Sequence, residues 1–559
     1  MLRISKLTDA EYVLEQVAGG LEDYYLGKGE APGVWTGALA AGLGLEGVVG
    51  AEELRALIDR LDPNTGALLT EGAKPAQVRA FDATFSAPKS VSLLHALADP
   101  ETASIVGIAH VEAVEAALGF FESKAAVTRQ QTGGVRRRTG TSGWAAATFV
   151  HRTSREGDPQ LHTHVVIPNL VRRSDGAWVA LDGLAMYQWA KATGSIYQEQ
   201  LRRNLTVMLG VRWGPDRNGC RELVGITETQ RRVFSKRTVQ IETHLANSNK
   251  STKEENLDPK ARMQADEAAS LATRRRKNLD WTPAVLAGRW HGEASAVDLP
   301  TGEALIRQVR DAASGGERPP RSLKELFARL VDAEDGVCAH DARFGEAQVI
   351  EHVAAMGAGS WSSPDIQAIA QRFLTSDLVV RLVDRDPSGR AEPRWSTVAH
   401  RRIEDRVLDQ LADLSTRQLG GLPISLDAVE RLGPDQADAV RALCGPGPAL
   451  RSLIAPAGHG KTTTLAAAAV VMAGAGVPVV AMASTNQAVE QLREAGLPAT
   501  TIARFAIEGG EVQPGTVVIC DELSQLPTRE AAVVLGAIAG CAGGQVWFVG
   551  DPKQAQPVG

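Results

Sequence analysis

Cysteine is scarce in this 559-residue chain: Cys220, Cys338, Cys444, Cys520 and Cys541 are the full set, and no two are spaced as a metal knuckle or a CxxC pair. That pattern excludes a disulfide scaffold and makes a reducing cytoplasm the simplest compartment. Aromatic residues make up only 5% of the chain, so its cores are expected to be built mainly from Ala, Val and Leu. No apolar run reaches 18 residues, and Met1–Lys6 leads into polar sequence without an apolar segment. Neither a membrane span nor a signal peptide is expected. Net positive charge is also lacking: Lys+Arg is 60 against 66 for Asp+Glu, a formal charge of −6. The whole-chain balance therefore does not mark a nucleic-acid binder. Tyrosine is rare, with Tyr12, Tyr24, Tyr25, Tyr187 and Tyr197 making up all five.

What is present is ordinary globular composition, 44% apolar and 23% charged, with 55 glycines to supply turns. At roughly 100–200 residues per domain the length predicts three or four domains. The charge is uneven. Arg129, Arg136, Arg137, Arg138, Arg152, Arg155, Arg172 and Arg173 fall in one stretch that holds only Glu156 and Asp158 as acids. Such a local field attracts polyanions whatever the total charge.

Three regions are predicted: 1–290, 291–444 and 445–559. In the first, helices are expected around Asp9–Val17, over Glu52–Leu61, after Pro88, over Ser104–Ser123 at helical apolar spacing, and over Leu184–Leu209. Ala80–Phe85, Gly143–His151 and Leu161–Leu170 read as strands. The last two are joined by the polar link Arg152–Gln160, an antiparallel pattern. The second region reads as helical and charged. The third alternates strands and helices, as a parallel α/β domain does.

The third region carries the clearest chemistry. Ala455-Pro456-Ala457-Gly458-His459-Gly460-Lys461-Thr462 follows an apolar strand and opens a helix. Glycines let such a loop curl so that its N–H groups and the helix N-terminus meet phosphate oxygens. Lys461 then reaches the β- and γ-phosphates and Thr462 holds Mg²⁺. The strand Thr516–Cys520 ends in Asp521-Glu522, placing one carboxylate beside the metal and the other where a water is activated. The strand Gln545–Val549 leads into Gly550–Gln554, and Gln554 is a candidate γ-phosphate sensor. Gly458, His459, Gly460, Lys461, Thr462, Asp521, Glu522 and Gln554 are thus the expected ATP-site residues. The order resembles superfamily 1 helicases of the exonuclease-V alpha type. That resemblance implies a RecA-like P-loop domain, with ATP and Mg²⁺ as cofactor. Such helicases use a second RecA-like domain, and the sequence ends at Gly559 after the third motif. Unwinding by this chain alone is not expected.

In the first region His162 and His164 lie two apart on a strand, so both face one side. His151, at the end of the neighbouring strand, is a candidate third ligand. Three neutral imidazoles hold a divalent cation and leave positions open for a phosphate oxygen. Asp82 and Thr84 share a face of their strand, and Asp82 is placed to orient an imidazole or assist a nucleophile. Lys89 supplies positive charge nearby. A tyrosine oxygen near such a metal can attack phosphorus and form a phosphotyrosine. Arg136, Arg137, Arg138, Arg152 and Arg155 are candidate phosphate contacts. Trp144 and Trp178 are candidate stacking platforms.

Residues 1–290 resemble the MobF (TrwC/TraI-like) conjugative relaxases. The resemblance rests on Glu22-Asp23-Tyr24-Tyr25, on Phe81-Asp82-Ala83-Thr84-Phe85-Ser86-Ala87-Pro88-Lys89-Ser90-Val91-Ser92, and on Pro159-Gln160-Leu161-His162-Thr163-His164-Val165-Val166. The last corresponds to the family's HUH-type metal motif. These relaxases join the domain to a superfamily 1 helicase on one chain, the order seen here. The resemblance implies an α+β relaxase domain with an antiparallel sheet, a helical region and a RecA-like domain. It implies Mg²⁺, Mn²⁺ or another divalent metal on His151, His162 and His164, with Asp82 as acidic helper. Tyr12 corresponds to the initiating nucleophile and Tyr24 to the second, with Tyr25 in reserve. Expected partners are single-stranded and origin-of-transfer DNA and other conjugation or relaxosome proteins. Other readings are a DNA-dependent ATPase or helicase fragment, a non-catalytic DNA-binding remnant of a mobilisation protein, and a rolling-circle replication initiator.

Overall fold

The computed structural model describes residues 2–8, 32–70, 77–132, 135–154, 156–217, 219–249, 282–312, 316–383, 393–424, 429–456 and 458–551. The chain packs as two compact units. One comprises Met1–Leu330, Gly345–Thr375 and Val383–Arg394; the other comprises Val331–Phe344, Ser376–Leu382 and Trp395–Gly559. The stretch 291–444, read from sequence as one helical region, contributes to both.

The first unit is built on a five-stranded antiparallel sheet. Its strands are β1 (Leu2–Leu7), β2 (Val34–Thr36), β3 (Ala80–Ser86), and, further along, Ala146–Thr153 and Pro159–Pro168. Between β3 and those last two come α1 (Lys89–Leu97), α2 (Pro100–Ala125) and the hairpin β4 (Val127–Thr132)–β5 (Val135–Gly140). With Ala146–Thr153 as β6 and Pro159–Pro168 as β7, the sheet order is β1-β3-β7-β6-β2. The link between β6 and β7 is residues 154–158, shorter than the predicted Arg152–Gln160, because the two strands run into both of its ends. The helix expected around Asp9–Val17 lies outside the described residues.

α2 begins at Asp99, whose carboxylate caps the Thr102 N–H at 2.9 Å, with Pro100 in the first turn. Among the described residues it is one helix long and apolar enough to cross a membrane, but half of its most apolar window is buried. It packs along α3 (Gly183–Leu209), as a core helix does. Both lie on one face of the sheet. The other face is covered at one end by the cluster of Trp35, Leu39, Leu54, Leu57, Phe149 and Val166. Further helices follow: α4 (Lys236–Asn249), α5 (Pro283–Ser295), α6 (Glu346–Met356) and α7 (Ser363–Leu374). α6 and α7 pack on α3, well beyond the predicted end of the first region.

The second unit holds a parallel five-stranded sheet, the RecA-like α/β arrangement expected. Its strands are β8 (Leu450–Ile454), β9 (Val479–Ala483), β10 (Ala499–Thr501), β11 (Val517–Cys520) and β12 (Gln545–Gly550), in the order β8-β12-β11-β9-β10. Helix α8 (Pro434–Cys444) precedes β8, and α9 (Lys461–Gly474) follows it. The central strands β11 and β12 are buried throughout, which is why they read as continuous apolar runs.

Candidate metal centre and phosphate loop

In β7 side chains alternate between faces, so His162 and His164 point one way and Thr163 the other. β6 pairs antiparallel with β7 and sets His151 directly opposite His162, with a register shift between His151 and Thr153. That irregularity bends the strand beside the site. The three rings meet with centroids 5.1–5.3 Å apart. Their ligand nitrogens all lie within 4.8 Å of one another.

The partners of these rings set their tautomers. β3 pairs with β7 so that Thr84 stands opposite His164 and Ser86 opposite His162. His164 Nδ1 lies 2.9 Å from both oxygens of Asp82 and 3.2 Å from Thr84 Oγ1. His162 Nδ1 lies 2.8 Å from the Gln160 carbonyl. A carbonyl only accepts, so His162 Nδ1 carries its proton there and Nε2 is left as a ligand atom. The carboxylate does the same for His164. Carboxylate and carbonyl behind a ligating imidazole are the usual support of a metal-binding histidine, so this donor set fits a divalent cation. Asp82 is only 8% exposed, and its two oxygens are turned to His164.

The remaining sequence-predicted residues are distributed as follows. Tyr12, Tyr24, Tyr25, Arg155 and Gln554 lie outside the described residues. Arg136 lies on β5 and Arg137 is exposed on the same strand. Arg152 is exposed on β6 next to His151. Arg138 turns inward, its Nε 2.8 Å from Asp182. Lys89 is turned inward as well. Its Nζ donates to the Pro159 carbonyl at 2.8 Å, and burial pushes its pKa down to about 8. It thus ties the start of α1 to the start of β7. Trp144 is 1% exposed and packs edge-on against Phe121, a core residue and not a stacking platform. Trp178 is half-buried, with the Arg172 guanidinium 6.0 Å from its ring centre.

The candidate phosphate loop lies between β8 and α9. Gly458 and Gly460 adopt φ of +77° and +74°, the left-handed region that glycine enters without strain. Lys461 Nζ reaches back to the carbonyls of Ala455 and Pro456, at 2.9 and 3.3 Å. His459 and Thr462 are at the exposed mouth of the loop. β11 leads directly into Asp521 and Glu522. Burial raises both carboxyl pKa values, and the Lys461 charge opposes the rise. Glu522 has φ +57°, a strained setting for a non-glycine residue, and its Oε2 is buried without a hydrogen-bond partner among the described residues. A neighbour missed in the sequence is Gln436 on α8. A Cβ added to Gly460 would come within 2.3 Å of its Nε2, so its amide lies against the loop. The signal available was Gly433-Pro434-Asp435-Gln436, a helix start shortly before the loop strand.

A family described as TrwC relaxase matches residues 7–297, more than half of the chain, and an AAA domain family matches residues 431–559. The multifunctional conjugation protein TraI of Escherichia coli is 30% identical over 313 residues, which are 53% of this chain and 16% of that protein. The conjugal transfer protein TraA of Rhizobium radiobacter is 31% identical over 206 residues, 34% of this chain and 18% of that one. The chain thus spans less than a fifth of these relatives' length. A solved structure of conjugative relaxase TrwC with oriT DNA, copper-bound, is 31% identical, covering 53% of this chain and 99% of that chain at a TM-score of 0.46. A metal-free complex gives the same identity and coverage at 0.45. The chain belongs to the TrwC relaxase family and carries a RecA-like, AAA-type domain on the same polypeptide.

Proposed function

We propose that the protein is a conjugative relaxase, which nicks one DNA strand at an origin of transfer and later rejoins it. The observation that carries this reading is the convergence of His151, His162 and His164 beside Asp82, within the region matched by the relaxase family. Those imidazoles would hold a divalent cation, Mg²⁺ or Mn²⁺, which when bound polarises the scissile phosphate and offsets its developing charge. Asp82 and the Gln160 carbonyl hold His164 and His162 in the tautomer that leaves Nε2 facing the site. Tyr12 is the proposed nucleophile. Its phenolic oxygen forms a bond to phosphorus, the bond from phosphorus to the 3′ oxygen breaks, and the 3′ oxygen leaves as a hydroxyl after taking up a proton. The 5′ end stays on the protein as a phosphotyrosine. Tyr24 is proposed for the second transfer, with Tyr25 as its alternative. Arg137 and Arg152, both exposed, are proposed phosphate contacts, together with Arg136 and Arg155.

The second unit is proposed to bind ATP with Mg²⁺ through Gly458–Thr462, Asp521, Glu522 and Gln554. For function the division is 1–290 for nicking, 445–559 for nucleotide, and 291–444 between them. The substrate is single-stranded DNA around an origin of transfer, the setting the cytoplasm, and the partners relaxosome proteins.

The test is incubation with Mg²⁺ or Mn²⁺ and supercoiled plasmids that carry candidate origins. An adduct that survives SDS, mapped by mass spectrometry to Tyr12, is expected. An adduct that persists in full in Tyr12→Phe moves initiation to Tyr24 or Tyr25. Origin binding without any adduct favours a non-catalytic DNA-binding protein.

A further inference from the structure

The face of the sheet opposite the three imidazoles holds a fourth, fully buried histidine. His110 on α2 is 0% exposed. Its Nδ1 lies 2.9 Å from the Tyr197 hydroxyl on α3, and its Nε2 lies 2.8 Å from Thr163 Oγ1. Thr163 is the residue between His162 and His164, pointing the other way. Tyr197 is itself held: it is 0% exposed, its ring meets Phe85 edge-on at 5.3 Å, and Phe85 is the register partner of Thr163 on β3. A neutral imidazole offers one donor and one acceptor, and each hydroxyl can serve as either. The chain Tyr197–His110–Thr163 can therefore be polarised in either direction, and both ring nitrogens of His110 have a partner.

We propose that His110 is a positioning residue for the metal-ligand strand. Through the Thr163 hydroxyl it holds the backbone between His162 and His164 from behind, and Tyr197 holds His110. The proposal rests on reading the three histidines as metal ligands. Its physical basis is directional. Pairing with β3 and β6 fixes β7 within the plane of the sheet. Movement perpendicular to that plane would carry both ligand rings together, and a buried hydrogen bond from below opposes it. Loss of the Thr163 hydroxyl would also strand the His110 Nε2 in an apolar setting, a cost the fold relieves by shifting the strand.

The test compares the full chain with Thr163→Val, Thr163→Ser and Tyr197→Phe, using Co²⁺ as the probe. Thr163→Val keeps the β-branched shape and removes the hydroxyl. It is expected to bind Co²⁺ about 10-fold more weakly, the low end of what outer-shell changes cost a metal site, and to shift the Co²⁺ d–d band. Thr163→Ser is expected to restore both. In the metal-free proteins the ring signals of His151, His162 and His164 in aromatic ¹H–¹³C spectra should move in Thr163→Val and return in Thr163→Ser. Wild-type affinity, band and ring signals in Thr163→Val overturn the proposal. Should that variant fail to fold by circular dichroism, Tyr197→Phe, which leaves the sheet unaltered, decides. A shift in the same direction supports the relay, and a wild-type spectrum overturns it. Absence of Co²⁺ binding by the wild-type chain would sink the metal reading instead, and the metal-free ring signals would then judge the relay by themselves.

Discussion

At the scale of single residues, the three imidazoles depend on the groups behind them. Asp82 orients His164 through two contacts at 2.9 Å. In Asp82→Asn the amide can present its NH₂ to His164 Nδ1 and favour the wrong tautomer. Metal affinity measured by calorimetry should fall about 10–100-fold, with the fold retained. A different histidine makes the unit acid-sensitive. Burial pushes His95 down to about 4, and the Arg152 cation adds to the shift. The unfolded chain binds a proton there below about pH 6.5, whereas the folded chain resists it until about pH 4. The stabilising term is thus complete above pH 6.5 and is lost as the pH falls through 4. Urea midpoints should drop between pH 7 and pH 4.5, and His95→Gln should flatten that drop by about 1–3 kcal/mol. Neither effect was legible in the sequence. Asp82 could be placed on the same face as Thr84 by strand alternation, but its partner lies 82 residues away. His95 has no motif at all.

At the scale of elements, the loop joining β6 to β7 is clamped from outside the sheet. Asp158 is 1% exposed and receives the Lys236 Nζ from α4 at 2.8 Å, while Trp290 on α5 donates to the Gly157 carbonyl at 2.8 Å. This loop separates the two histidine-bearing strands, so α4 and α5 hold the turn between them. A second junction holds α6 and α7 onto α3. The Glu199 carboxylate, 0% exposed, accepts from the backbone N–H of Gly359 and Ser360 at 3.0 Å and pairs with Arg202 at 2.8 Å. Glu199→Ala would leave the Arg202 charge buried and uncompensated. It should cost about 3–5 kcal/mol in urea denaturation. Glu199→Gln, which keeps an acceptor, should cost less. The strands carrying the histidines were predicted within a few residues from alternation and turns. The arginine hairpin β4–β5 was not, since its polar residues give no apolar alternation to read.

At the scale of the whole molecule, the two sets of chemistry sit in separate compact units, each with its own sheet and core. Lys461→Ala should therefore abolish ATP binding in a fluorescent-nucleotide titration and leave adduct formation within about two-fold of wild type. Loss of nicking in a folded Lys461→Ala protein would mean that the units are coupled. Local pattern alone accounts for the imidazole pair and for the glycine loop. Period-two spacing places two imidazoles on one face, and a glycine-rich turn between strand and helix makes a phosphate cradle, whatever the rest of the chain does. Those are local rules of backbone geometry, and they hold before the chain folds. Which distant groups stand beside each cluster follows from the packing of the folded chain. β3 is brought beside β7 so that Asp82 meets His164. Lys89 and Arg138 are turned inward to partners, while Arg137 and Arg152 stay exposed. His110 arrives beneath Thr163 on a helix that looks like any apolar core helix, and residues 345–375 join the relaxase body through Glu199. Such placements come from burying apolar surface and satisfying buried polar groups across long sequence separations, and no local pattern in the chain encodes them.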